Sequence, residues 1–324
     1  MRKLLTLAAC GVLALGAAAC GDNSSSDSTA SSGASSGSKD LSGNIKIDGS
    51  STVAPFAQAA QEAFQGENPN VKITVGTSGT GGGFEKFCNG ETDISDASRP
   101  IKPDEEAPIC KKKGITYSEV QVANDGIAVV TNKSLKVGCL TTDQLKQLWN
   151  KGSKVKSLSE IDPSLPDAKL TLFGPDTDSG TFDFFTGEIN GEEGVSREDY
   201  QPSADDNILV QGVEGSEGGL GYFGFSYYEQ NRDKLNLVKV GEDAASCTAP
   251  SKETIQSGDY KPLSRPLFMY PNEKALARPE VKAFMEYVIA NYDDIATAAQ
   301  IVPMTPEQAA KGKQELQAAE SKAG

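Results

Sequence analysis

NIKIDGSSTVAPFAQAAQEAFQGENPNVKITVG, residues 44–76, decides the fold class. Residues 44–48 and 70–76 alternate apolar and polar side chains, the period of a strand with one buried face. Between them Val53, Phe56, Ala57, Ala60 and Phe64 recur at helical spacing, and Pro55 falls where a first helical turn tolerates it. Strand, helix, strand is the unit of a parallel sheet with a right-handed crossover. Such sheets gather ligands at the carboxyl ends of their strands.

Three times at such a strand end the chain runs through glycine and hydroxyl residues into an amphipathic helix. The segments are Asp48-Gly49-Ser50-Ser51-Thr52, GTSGTGGG at 76–83 and DTDSGT at 176–181. A helix start presents unpaired N–H groups and a partial positive charge, so it can seat an anion. Ser and Thr add hydroxyl donors, and glycine lets the backbone come close. Taken singly, each loop reads as an ordinary helix cap. Together they predict one oxyanion held by converging helix starts. The glycine run is no P-loop, because no Lys-Ser/Thr follows it.

Lys and Arg number 31 against 45 Asp and Glu, a formal charge of −14. That balance offers nothing to nucleic acid or to an anionic membrane surface. It does not exclude a small anion, since the global field is screened within about 10 Å while local donors touch the ligand. The chain has no histidine. Ser-His-Asp and Cys-His catalysis and histidine-ligated metals are therefore excluded.

Arg2 and Lys3 precede an apolar run from Leu4 to Ala19, too short for the roughly 20 residues of a spanning helix. The run ends at Ala17-Ala18-Ala19-Cys20, which resembles a bacterial lipoprotein processing site. Residues 1–20 are read as an export signal ending at lipidated Cys20, with a secreted soluble protein cleaved nearby as the alternative. Residues 21–40 are rich in Ser, Gly and Asp and predict a flexible tether. Four cysteines remain beyond the tether, an even number that predicts two disulfides in an exported protein. Of three pairings, Cys88–Cys110 and Cys139–Cys247 keep each bridge within one expected lobe.

Beyond the opening unit, residues 122–132 read as a buried strand carrying the chain into a second lobe. That lobe is expected to hold a helix near 142–149, a strand at 169–173, and a helix from Ser179 with Phe182, Phe185 and Ile189 on one face. Gly-rich 210–228 reads as a loop leading to a tightly packed strand-and-helix segment, with Tyr222, Phe223, Phe225, Tyr227 and Tyr228 as packing aromatics. Residues 265–272 predict a strand returning to the first lobe, followed by helices near 279–291 and after Pro306. The expected division is 41–124 with 262–324 for lobe 1 and 125–261 for lobe 2. No fixed-period repeat is present.

The ordered set DGSST, TVGTSGTGGG, DISDASRPI, VANDGIAVV, DSGTFDFF, LGYFGFSYY and RPLF resembles the phosphate-binding proteins of bacterial high-affinity phosphate ABC transporters, over residues 41 to about 290. The resemblance is closest to the lipoprotein members of Gram-positive bacteria and cyanobacteria. It implies a type II periplasmic-binding-protein fold, an α/β architecture whose two lobes are joined by a two-strand hinge and close over the ligand. By motif, Ser51, Thr52 and the Val53 N–H match the first loop, Ser78 and Thr80 the second, and Ser179, Gly180 and Thr181 the third. Many members place an arginine shortly before the Ser-Gly-Thr. Here Gly174-Pro175-Asp176 stands instead, and Arg99 is the candidate replacement, since a planar guanidinium suits a tetrahedral oxyanion.

Phosphate keeps a proton near neutral pH, which a buried carboxylate can accept and sulfate cannot supply. Asp125, or else Asp96, is the expected acceptor, and Asp48 and Asp178 read as helix caps. The implied function is a non-enzymatic, monomeric receptor on the outer face of the cytoplasmic membrane, held by its lipid anchor. It would take up inorganic phosphate for membrane permease subunits of an ABC importer, with no cofactor or metal. The alternatives are a receptor for sulfate or molybdate, and a hydrolase using Ser179.

Overall fold

The computed structural model describes residues 41–323. The expected export signal, the Cys20 lipidation site and the tether lie outside them. The opening unit forms as strand β1 (Gly43–Gly49), helix α1 (Ala54–Glu67) and strand β2 (Val71–Gly76). β1 and β2 are parallel from Gly43↔Val71 to Asp48↔Gly76. Helix α2 (Gly79–Cys88), strand β3 (Ile94–Ala97) and helix α3 (Ala107–Lys113) complete the first passage through this half. Strand β4 (Val120–Asn132) then carries the chain onward.

The second half contains β5 (Cys139–Thr141), α4 (Thr142–Trp149), β6 (Thr171–Pro175) and α5 (Gly180–Phe185). It continues with β7 (Gln201–Ser203), α6 (Asp206–Gly215), β8 (Gly219–Gly224), α7 (Phe225–Gln230), β9 (Leu235–Gly241) and α8 (Lys252–Ser257). Strand β10 (Ser264–Pro271) returns, followed by α9 (Glu273–Leu276), α10 (Pro279–Ala290), α11 (Tyr292–Ala298) and α12 (Pro306–Ala323). The strands run β2-β1-β3-β10-β4-β8-β6-β7, with β9 beside β4 and β5 beside β9. This is the fold of a type II binding protein.

One expectation about local structure is corrected. The segment from Val210 to Gly215 is helical and ends α6, although its glycines read as a loop. Leu209, Val210 and Val213 bury one face of that helix, and burial outweighs the roughly 1 kcal/mol that each interior glycine costs a helix. Gly212 is needed there, because a Cβ would stand 2.3 Å from the Phe173 ring.

Two large apolar cores flank the β4–β10 pair, and a smaller one holds Phe84, Phe87, Phe268 and Tyr270. Of the large cores, one gathers Ile45, Ile47, Phe56, Phe64, Ile94, Val120, Val122, Leu267, Met269 and Phe284. The other gathers Ile127, Val129, Leu145, Trp149, Phe185, Tyr222, Phe223, Val238, Tyr260 and Leu263. Thus β4 changes core between Ala123 and Ile127, and β10 enters the first core at Leu267. Val302, from the C-terminal segment, packs into the second core and bonds Asn124. Trp149 meets Phe185, Tyr200 and Tyr222 edge-on. Cys88 is bonded to Cys110 and Cys139 to Cys247, the pairing the sequence predicts.

Candidate functional site

Where the two halves meet, β4 and β10 run antiparallel with Arg265 opposite Asp125 and Ser264 opposite Gly126. The Arg265 guanidinium donates through Nε to Asp125 Oδ2 at 3.3 Å. Through Nη2 it donates to Thr52 Oγ1 at 2.7 Å and to the Gly180 carbonyl at 3.3 Å. Its Cζ lies 3.7 Å from the centre of the Phe184 ring, a cation–π geometry. Nη1 has no hydrogen-bond partner among the described residues. One buried guanidinium therefore touches a hinge strand, the first loop and the start of α5.

Those two helix starts abut. Ser50 N–H donates to the Asp96 carbonyl, and the Val53 and Ala54 N–H groups fold back onto the Ser50 carbonyl at 3.1 and 3.0 Å. Across the gap, Ser179 caps α5 by accepting the Thr181 N–H at 3.2 Å. A Cβ on Gly180 would lie 2.2 Å from Thr52 Oγ1 and 2.7 Å from Ser51 Oγ. Only glycine allows so close an approach. Beside this junction opens a cleft of about 260 Å³, lined among others by Ser51, Thr52, Ser179, Gly180, Thr181 and Asp125.

Three further carboxyls line it: Asp176, Asp178 and Asp206. Asp176 Oδ1 accepts the Asp178 N–H at 3.1 Å, which shapes the turn before Ser179. Burial is the main cause that pushes the Asp206 carboxyl up to about 6; the Gly224 N–H opposes the rise, and the charges of Asp205 and Asp125 add to it. Burial likewise raises Asp183 in α5 and Glu188 beyond it above the ordinary carboxylate range; the charge of Arg265 opposes both shifts and that of Glu193 adds to them.

The structure brings together six of the expected residues: Ser51, Thr52, Asp125, Ser179, Gly180 and Thr181. Four others are engaged elsewhere. The Val53 N–H is used inside its own turn, on Ser50. Ser78 gives both its N–H and its hydroxyl to Asp48 Oδ1, at 3.0 and 2.5 Å. Lys86 holds the other oxygen of Asp48 at 2.6 Å. Although burial acts to raise Asp48, the bonds from Lys86 and Ser78 outweigh it and keep this carboxyl below its usual value. Asp48 thus fastens the second loop rather than capping α1. Thr80 bonds the Ser98 hydroxyl at 3.0 Å and its N–H at 3.2 Å.

Arg99 is the fourth. Its guanidinium forms a two-pronged pair with Glu106, at 2.9 and 2.7 Å, and is absent from the cleft lining. The guanidinium bonded to residues of the cleft wall, Asp125, Thr52 and Gly180, is that of Arg265, which like Arg99 is not itself among the lining residues. Arg265 lies in the RPLF segment, which read only as a strand, and its pairing with Asp125 spans 140 residues. Asp206 also escaped notice, because an Asp at a helix start ordinarily reads as a cap. Asp96, the second candidate acceptor, is fully buried, has no bond to either oxygen, and is pushed well above the usual range by burial and then by Asp48. Among the described residues no group of three or more His, Cys, Asp or Glu is placed to hold a metal, and no helix is long and apolar enough to cross a membrane.

The model of the PBP superfamily domain matches residues 30–291. The phosphate-binding protein PstS of Staphylococcus saprophyticus is 45% identical over 249 residues, covering 76% of each chain. The chain belongs to the phosphate-binding protein family of the PBP superfamily. Protein SphX of Synechococcus elongatus is 44% identical over 262 residues, covering 80% of this chain and 77% of that one. Among solved structures, a possible phosphate binding protein from Planctomyces limnophilus is 44% identical with a TM-score of 0.81, covering 86% of this chain and 99% of its own. A candidate phosphate ABC transporter substrate-binding protein from Clostridium perfringens, solved with bound phosphate, is 27% identical with a TM-score of 0.57 and covers 81% of this chain and 100% of its own. This family member is accordingly one of a group of binding proteins, built as two lobes about a hinge.

Proposed function

We propose that this chain captures inorganic phosphate outside the cytoplasm and hands it to the permease of an ABC-type importer. The observation that carries the reading is Arg265, a buried guanidinium on the hinge that touches a helix-start loop from each lobe. Phosphate would lie against the hydroxyls of Ser51, Thr52, Ser179 and Thr181, with Gly180 letting the backbone approach and Arg265 supplying charge. Because Thr52 belongs to one lobe and Ser179–Thr181 to the other, an anion between them rewards closure. Recognition needs no bond to be broken, so the protein acts as a receptor and not as an enzyme. Cys20 would carry the lipid that keeps a monomeric receptor at the outer face of the cytoplasmic membrane, with the 21–40 tether giving it reach.

The names of the relatives support the ligand, and the hydroxyl-and-guanidinium cleft supports the chemistry. Calorimetric titration of protein stripped of bound anion tests both. Phosphate is expected to bind at one site per chain, with sulfate and molybdate far weaker. A folded protein that ignores phosphate, or prefers sulfate, overturns the reading.

A further inference from the structure

Helices α11 and α12 both pack in the core of the first half, through Ile295, Ala296, Ala309 and Leu316. Residues 299–305, which join them, leave that core. Ala299, Gln300 and Ile301 line the cleft, Val302 enters the core of the second half, and Met304 returns to the first. The segment is thus a third crossing beside β4 and β10, and it is bonded where it crosses. The Val302 carbonyl accepts the Asn124 N–H at 2.8 Å, one residue before Asp125. Asn124 Nδ2 donates to the Pro303 carbonyl at 3.1 Å and to Gln308 Oε1 at 3.0 Å. Gln308, in the first turn of α12, donates through Nε2 to the carbonyl of Gln256 on α8 at 3.0 Å. Gln256 Nε2 donates back to the Pro303 carbonyl at 2.8 Å, and its neighbour Ile255 anchors α8 in the second core. Three side-chain amides therefore join one helix of each half to the hinge strand and to the crossing segment. The cleft end of that segment is strained. Gln300 has φ 56°, the one positive value at a non-glycine among the described residues, and its Oε1 is buried without a partner. Such a backbone persists only where the surrounding structure imposes it.

We propose that residues 299–305 are a strap that limits how far the two halves open, with the Asn124–Gln308–Gln256 amides as its fastening. The inference deepens the phosphate-capture reading and rests on it. Because its first residues line the cleft, the strap lies on the side of the hinge that parts when the cleft opens. Parting Thr52 from Ser179 then draws Gln256 on α8 away from Gln308 on α12 and pulls on a short segment whose strained Gln300 leaves no slack. β4 and β10 alone would bend freely, since a hinge needs only a few residues to absorb the rotation. A restricted opening keeps a larger fraction of the protein near the binding-competent arrangement, so less of the interaction with phosphate is consumed in closing. The fastening consists of neutral amides, and each is bonded on both sides of the crossing, as buried polar groups require.

The test combines small-angle X-ray scattering and calorimetry on the purified full chain, stripped of anion and then saturated with inorganic phosphate. Without phosphate, Gln308→Ala is expected to have a larger radius of gyration than wild type. With phosphate the two should coincide, and the variant should bind about fivefold more weakly, in proportion to its smaller competent fraction. Gln256→Ala removes the bond to Pro303 and leaves the start of α12 intact; it should shift both readouts in the same direction. Gln314→Ala, on the exposed face of α12, should match wild type in both. Thermal unfolding reports whether each variant is folded, and Gln256→Ala carries the test if Gln308→Ala is not. A folded variant as compact as wild type without phosphate overturns the strap, as does one that stays expanded when saturated. Failure of both variants to fold overturns it too, because the amides would then hold the fold and not the opening. Wild type that fails to bind phosphate overturns instead the reading beneath it, while the scattering of the anion-free variants still reports on the strap.

Discussion

The chain contains two Ser-Arg-Pro tripeptides, at 98–100 and at 264–266, and they have opposite fates. Arg99 follows β3 and meets Glu106 seven residues on, a partner that occupies both prongs of its guanidinium. Its side chain remains one-third exposed. Arg265 sits in β10 against the hinge partner Asp125, with a single longer bond at 3.3 Å, and is 13% exposed. Its remaining contacts go to Thr52, the Gly180 carbonyl and the Phe184 face. Glu193 and Glu188 also act on it through charge, but no carboxylate occupies both prongs of its guanidinium, which leaves it available to a ligand. Local sequence does not reveal this. The same contrast separates the loops, since Ser78 and Thr80 are consumed by Asp48 and Ser98 whereas Ser179 lines the cleft.

Substituting the two arginines gives the widest separation. Arg265→Ala is expected to weaken phosphate binding by about 3 kcal/mol, the scale for truncating one member of a buried charge pair, or roughly a hundredfold. Arg99→Ala should change it by less than about threefold, as for a partly exposed ion pair. Equal losses in calorimetry would erase the distinction between the two tripeptides.

The loops come next. Asp48→Ala removes the acceptor of Ser78 and the partner of Lys86, and should cost about 1–3 kcal/mol of stability in urea unfolding. Phosphate affinity should stay within about threefold. A large affinity loss would return the second loop to the binding site. Ser179→Ala deletes both a cap and a cleft hydroxyl; it should cost about 1 kcal/mol of stability and weaken phosphate by roughly fivefold, about 1 kcal/mol. If only stability changed, Ser179 would be a cap alone.

The smallest effect concerns the unliganded protein. A carboxyl raised to about 6 on folding, from an ordinary value of 3.8, destabilises the fold above that range and ceases to do so below it. Asp206→Asn is therefore expected to melt on the order of 2–4 °C above wild type at pH 8. The gain should shrink as the pH falls through 6 and vanish below 4. A gain that persists at pH 4 would mean that the carboxyl is not strained by burial.

Much of the fold was readable because its signals are local and periodic. The alternation at Ile45 and Ile47 and the helical spacing of Phe56, Ala60 and Phe64 require no partner to be interpreted. The helix ending α6 was missed because Val210 and Val213 are buried in a core shared with Phe173 and Ile127, which are distant in the chain. The site divides in the same way. Ser179, Gly180 and Thr181 belong to one turn, with a motif to mark it. Arg265 and Asp125, 140 residues apart, become neighbours only when β10 pairs antiparallel with β4. Charge placement depends on such long-range pairing, and a single sequence does not record it.

A crystal structure of the phosphate complex tests the central claim most directly. The anion is expected within hydrogen-bonding distance of the Arg265 guanidinium, between Thr52 on one side and the Ser179–Thr181 turn on the other. An anion seated on Arg99 and Ser78, with Arg265 still bonded only to protein, would contradict it.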